Sequence, residues 1–234
     1  MGNPWFQFKQ FRVSQEKSAL RVGTEGVLLG AWCDVTGTKN ILDVGTGTGV
    51  IALMLAQRSE AQIDAVEIDN EACQDASGNF QSSPWKERIS LYSEDFILFS
   101  QTITRNFDLI VSNPPFFKNS LRSANHSSSL AKHDVSLTFE QLISGAKKLL
   151  SSEGRLGVII PADACNDFRE TARMTGFYLA RKTLVIPRAG RLPKRVLLEF
   201  SALPCYPVLD ELVILLNEHQ YSDTFIALTK EFYL

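Results

Sequence analysis

The chain has 234 residues, 44% of them hydrophobic, and its 24 Lys and Arg against 26 Asp and Glu leave a formal net charge of −2. That is the balance of an ordinary globular protein, long enough for one large α/β domain, and it carries no global signal for nucleic acid. The longest apolar runs, residues 27–33 and 50–56, fall far short of the ~18 residues a membrane span requires, so no membrane association is expected.

The opening Met1-Gly2-Asn3-Pro4-Trp5-Phe6 lacks the basic-then-apolar order of a signal peptide. Phe6, Phe8, Phe11 and Val13 read as one strand in an N-terminal strand/helix extension over residues 1–38. From residue 40, strand-like and helix-like segments alternate. Strands are expected at 40–44, 62–67, 88–92, 107–111 and 155–160, and helices at 50–58, 70–80, 138–150 and 162–175. Such alternation means right-handed crossovers and a mainly parallel sheet covered on both faces.

After Gly176 the rhythm changes. Residues 177–186 and 195–202 read as strands joined by a turn over 187–193, and a connection that short permits only an antiparallel pair. The tail from 211 onward reads as a strand and a helix near 223–230. Residues 39–234 are thus expected to form a Rossmann-like core with a C-terminal tail, the whole chain being a single domain.

Cys33, Cys73, Cys165 and Cys205 form no C-x-x-C pair, and His126, His133 and His219 show no ligand spacing to them. Reduced thiols, a cytoplasmic location and no metal are the expectation. The oligomeric state is not legible; a monomer is the default.

The first core strand runs into Asp43-Val44-Gly45-Thr46-Gly47-Thr48-Gly49 and then a helix. Glycines at such a turn let a ligand approach the backbone and the helix N-terminus. A dinucleotide fingerprint would need glycine or alanine where Val50 stands, and Asp43 would repel a pyrophosphate. The same carboxylate suits a ligand carrying an ammonium and a sulfonium. Glu67 ends the second strand, 22 residues after Gly45, where an acid can accept from both ribose hydroxyls. Asp95, beside Phe96, follows the third strand. Each acid alone is more often a helix cap or loop carboxylate, but three at one sheet edge form a pattern.

The fourth strand stops abruptly at Ser112-Asn113-Pro114-Pro115-Phe116-Phe117, because proline cannot donate a ladder hydrogen bond. A stiff loop is the bland reading. Beside a cofactor loop, the Asn113 oxygen and the Pro114 carbonyl become two aimed acceptors for an exocyclic NH2, mounted rigidly by Pro114 and Pro115. Phe116 can stack on a planar target. Phe117 is left to packing. From Arg181 to Arg195 stand six basic residues and no acid, a solvated hairpin face or a phosphate-contacting patch.

DVGTGTG, AVEID, SED and NPPF, in this order, resemble the class I S-adenosylmethionine-dependent methyltransferases. That resemblance implies a doubly wound, mainly parallel seven-stranded sheet with one antiparallel strand, and S-adenosyl-L-methionine across the strand ends. Asp43, Gly45, Gly47 and Gly49 would then line its methionine part, Glu67 would take the ribose, and Asp95 with Phe96 the adenine. More narrowly, residues 17–32, 186–200 and 221–234 resemble the bacterial tRNA1(Val) adenine-37 N6-methyltransferase family. This implies a tRNA adenine as substrate, with Lys118, Arg188, Arg191 and Lys194 as phosphate contacts. Phe116 departs from the tyrosine usual in that family, which keeps stacking and removes a hydroxyl. A release-factor glutamine methyltransferase, a DNA adenine methyltransferase, a dehydrogenase and a non-catalytic RNA-binding module are the competing readings.

Overall fold

The computed structural model describes residues 3–19, 21–114 and 137–233. The core strands are β3 (Asn40–Val44), β4 (Gln62–Glu67), β5 (Ile89–Ser93), β6 (Phe107–Ser112), β7 (Leu150–Pro161), β8 (Tyr178–Arg188), β9 (Arg195–Ser201) and β10 (Val208–Leu215). They form one sheet in the order β10-β8-β9-β7-β6-β3-β4-β5. Every neighbouring pair is parallel except those made by β9, which runs antiparallel to both β7 and β8. The seven expected strand positions are all filled, and β10 adds an eighth at the edge, parallel to β8.

Helices cover both faces, which is why the inner strands read as near-continuous apolar runs. One layer holds α1 (Thr24–Trp32), α2 (Val50–Arg58), α3 (Asn70–Gln81) and α7 (Asp223–Thr229), with Leu28, Met54, Phe80 and Phe225 in its core. The other holds α4 (Phe96–Thr102), α5 (Phe139–Leu149) and α6 (Cys165–Met174), packed through Phe99, Leu142 and Phe168. Helix α5 starts on a capping box, with Thr138 Oγ1 accepting from Gln141 N and Gln141 Oε1 from Thr138 N.

The N-terminal extension differs from the single strand expected. It forms two short antiparallel strands, β1 (Trp5–Gln7) and β2 (Arg12–Ser14), whose Phe8, Phe11 and Val13 enter the core beneath the chain's C-terminal Phe232. Helix α1 falls within the N-terminal extension, where a helix was expected without bounds, and helix α4 was not expected.

Because β9 alone is reversed, its start lies at the same edge of the sheet as the ends of the other seven strands. Register fixes the levels along that edge. Val66, Val44, Ser112, Val158, Leu198 and Lys182 stand in one row across β4, β3, β6, β7, β9 and β8. The β8–β9 pair continues three residues beyond that row to Val185 and Arg195, about 10 Å. It forms a wall beside the point where β3 and β6 end.

Candidate active site

The end of β3 folds into the glycine loop over β4, where Gly45 N and Thr46 N both donate to Val66 O at 2.9 and 3.1 Å. Gly45, Gly47 and Gly49 all have positive φ. Their roles in the fold differ. A Cβ on Gly45 or Gly47 would meet nothing within 4 Å, so this backbone is open to a ligand. A Cβ on Gly49 would lie 2.4 Å from the Phe80 ring. Gly49 therefore permits α2 to pack on α3, and its open face is absent.

Asp43 is fully buried beneath this loop. Its Oδ2 accepts from Thr46 Oγ1 at 2.6 Å and from Ala52 N at 3.1 Å, while Oδ1 is buried with no hydrogen-bond partner. Burial pushes the carboxyl up to about 7, the hydrogen bonds oppose that rise, and the neighbouring Glu67 charge adds to it. An unpaired buried oxygen of this kind calls for a cationic or donor group.

Glu67 closes β4. Its Oε1 accepts from Ile68 N and Asp69 N at 2.9 Å, and Oε2 from Gly47 N at 2.8 Å, so it ties its own strand end to the glycine loop. Asp95 is the N-cap of α4, with Oδ1 accepting from Ile97 N at 2.7 Å and Leu98 N at 3.2 Å. The cap and a ligand contact are compatible, because Oδ2 makes no hydrogen bond among the described residues. The Phe96 ring is buried in the core against Gly145.

Asn113 follows β6 directly and is half-buried; Pro114 is buried. The residue before them is paired across to the residue before the glycine loop, Val44 opposite Ser112, and Ser112 Oγ donates to Val44 O at 2.8 Å. Asn113 and Gly45 thus leave the sheet side by side, one strand spacing of about 4.8 Å apart. Pro115, Phe116, Phe117 and Lys118, with His126 and His133, lie outside the described residues.

Among the six cations from Arg181 to Arg195, internal acids neutralise three. Arg181 pairs with Asp210 at 3.1 Å and lies over the Trp32 ring, Arg188 pairs with Glu218 at 3.2 Å, and Arg195 with Glu25 at 3.2 Å. Arg191 and Lys194 are exposed and Lys182 is half-buried, and these three make no ion pair among the described residues. Sequence reasoning missed these partners because each lies far away in the chain.

An edge built this way, with the glycine loop on β3, an acid ending β4, a helix-capping acid after β5 and a reversed β9, defines a class I S-adenosylmethionine-dependent methyltransferase. A family profile described as methyltransferase small domain matches residues 21–167. A curated protein of Phocaeicola vulgatus, named tRNA1(Val) (adenine(37)-N6)-methyltransferase, is 48% identical over 100% of this chain and 99% of its own length. One of the same name from Trichodesmium erythraeum is 41% identical, again over 100% of this chain and 99% of its own. A crystal structure described as a predicted O-methyltransferase from Agrobacterium tumefaciens superposes with a TM-score of 0.70 at 18% identity, over 89% of this chain and 96% of that one, a likeness of fold. The chain belongs to the methyltransferase small-domain family and, within it, to the family of these full-length relatives.

Proposed function

We infer that the protein transfers a methyl group from S-adenosyl-L-methionine to N6 of adenine 37 in tRNA1(Val), the reaction for which its full-length relatives are named. The observation that carries this reading is the register of β3 against β6, which sets Asn113-Pro114 beside the open backbone of Gly45 and Gly47. The residues present suit the donor. Asp43 Oδ1 would take its ammonium, Gly45 and Gly47 leave room for its methionine part, Glu67 would accept from the ribose, and Asp95 Oδ2 beside Phe96 would meet the adenine. The bound donor supplies an electrophilic methyl group on a sulfonium.

The difficulty with an exocyclic NH2 is that its lone pair is delocalised into the ring. The Asn113 side-chain oxygen and the Pro114 carbonyl accept the two N–H bonds and draw the nitrogen toward tetrahedral geometry, which frees that pair. As the methyl carbon leaves sulfur for nitrogen, the same two oxygens accept from the two N–H bonds of the now cationic nitrogen. One proton of that nitrogen passes to solvent to leave the neutral N6-methyl product. The two oxygens are fixed dipoles aimed at the developing charge and need no reorganisation. The stacking role of Phe116 and the rigid mount of Pro115 rest on sequence. Arg191 and Lys194 are exposed cations, unpaired among the described residues, that would meet phosphate; Arg188 is already paired, and Lys118 is assigned on sequence alone. A tRNA substrate implies work in the cytoplasm, and every element named comes from one chain.

The test is transfer of tritium from methyl-labelled S-adenosylmethionine, offered in parallel to unmodified total tRNA and to a peptide-chain release factor. Label in tRNA alone is expected. Label in the release factor alone would overturn the reading in favour of a protein glutamine methyltransferase.

A further inference from the structure

A cavity of about 160 Å3 opens between the first turn of α1 and the far ends of β8 and β10. Leu28 and Val185 lie buried at its base, and Pro187 and Ile214 complete its apolar wall. Exposed Thr24 and Lys194 stand at the mouth with the Glu25–Arg195 pair. None of these residues belongs to the glycine loop, the strand-end acids or the Asn113 turn.

Its position is set by the fold. The strands lining it end at the same edge of the sheet as β6, and β8 lies three strands from β6, about 14 Å. An RNA strand whose target base enters beside Asn113 can reach the cavity within a few nucleotides. Its size is close to the ~150 Å3 apolar cavity that accepts a benzene-sized ring. Apolar walls alone would suit any such ring, but the mouth selects further. The Lys194 ammonium has no partner among the described residues, and exposed Arg191 lies three residues before it, so an anion beside the ring is favoured. Glu25 and Arg195 add a paired acceptor and donor, and Arg195 Nε is a buried donor with no partner. A flat ring with polar edges and a phosphate beside it is a nucleotide.

Resting on the RNA-methylating reading above, we infer that this cavity is a subsite for one unpaired nucleobase of the RNA near the target adenine, with Lys194 on its phosphate. It anchors the strand while the target base is out of its stack, a task for which stacking against side chains is well suited.

The experiment combines a filled cavity with a missing base. Thr24→Trp and Ile214→Trp are compared with the wild-type enzyme on anticodon stem-loop RNAs carrying one abasic nucleotide at each position around the target. KM comes from tritium transfer, Kd from fluorescence anisotropy, and S-adenosylmethionine affinity reports folding. Filling the cavity should raise KM for the intact RNA about tenfold at unchanged cofactor affinity. One abasic position should cause a similar rise in the wild type and no further rise in the filled variants. Wild-type KM in both filled variants, or the same abasic penalties in wild type and variants at every position, would overturn the subsite while leaving the methylation reading intact. A flat abasic series on the wild type does the same even if both variants misfold. Absence of both RNA binding and transfer in the wild type overturns the two readings together.

Discussion

Asp43→Asn should remove a pH dependence of cofactor affinity that the wild-type enzyme carries. In the free protein, burial above all pushes this carboxyl up to about 7, with the Glu67 charge adding to the rise. At pH 6 about a tenth of it is ionised, and an approaching ammonium must first displace a proton. The apparent Kd for S-adenosylmethionine should therefore be about fivefold weaker at pH 6 than at pH 7, roughly 1 kcal/mol. The amide in the variant still accepts from Thr46 and Ala52 but does not titrate, so its weaker affinity should be flat over this range. Stability of the free protein carries the matching sign. The folded value lies above the ordinary 3.8, so this group's contribution is complete below about 4 and is lost as pH rises through about 7. Isothermal titration at pH 6 and pH 7 in two buffers of different ionisation enthalpy measures affinity and proton release together. A wild-type Kd that does not change, or the same slope in Asp43→Asn, refutes the reasoning.

Asn113→Ala removes one of the two proposed acceptors and should lower kcat by about 10²–10³ while cofactor Kd stays within a few fold; loss of cofactor binding by titration would count against its role. Gly49→Ala forces a left-handed backbone onto alanine and drives its Cβ into Phe80, costing about 3 kcal/mol or more, whereas Gly45→Ala meets no neighbour and costs about 1–2 kcal/mol. Thermal melts should separate the two variants, and equal losses would contradict the division of the loop. Lys194→Ala and Arg191→Ala should each reduce the salt slope of tRNA binding by about 1, and Arg188→Ala by less because Glu218 already pairs it. Filter binding across a salt series would show whether the paired arginine differs.

Much of the site was legible because it is written at strand ends. Asp43, Glu67, Asp95 and Asn113 each sit where a run of apolar residues stops, and parallel topology carries all four to one edge. The missed elements share a physical cause. Helix α1 is buried along nearly its whole length, so it lacks the amphipathic period that would have fixed its bounds within the N-terminal extension. Gly26 and Gly30 let α1 lie close on α2, where an added Cβ would come within 3.2 Å of Val50 and 2.9 Å of Met54. Helix α4 is only seven residues long and depends on the Asp95 cap. The basic stretch read as a uniform patch because Asp210, Glu218 and Glu25 approach it only in three dimensions. The burial of the Phe96 ring is likewise a matter of packing against Gly145, which no local pattern reveals.

Nucleoside mapping of one purified, unmodified tRNA1(Val) transcript, after incubation with the protein and S-adenosylmethionine, decides whether this chain methylates adenine 37. A single N6-methyladenosine is expected, at position 37, absent when adenine 37 is replaced by guanine and absent with Asn113→Ala. Methylation at another nucleotide, or equal labelling of the guanine-37 transcript, would contradict the assignment.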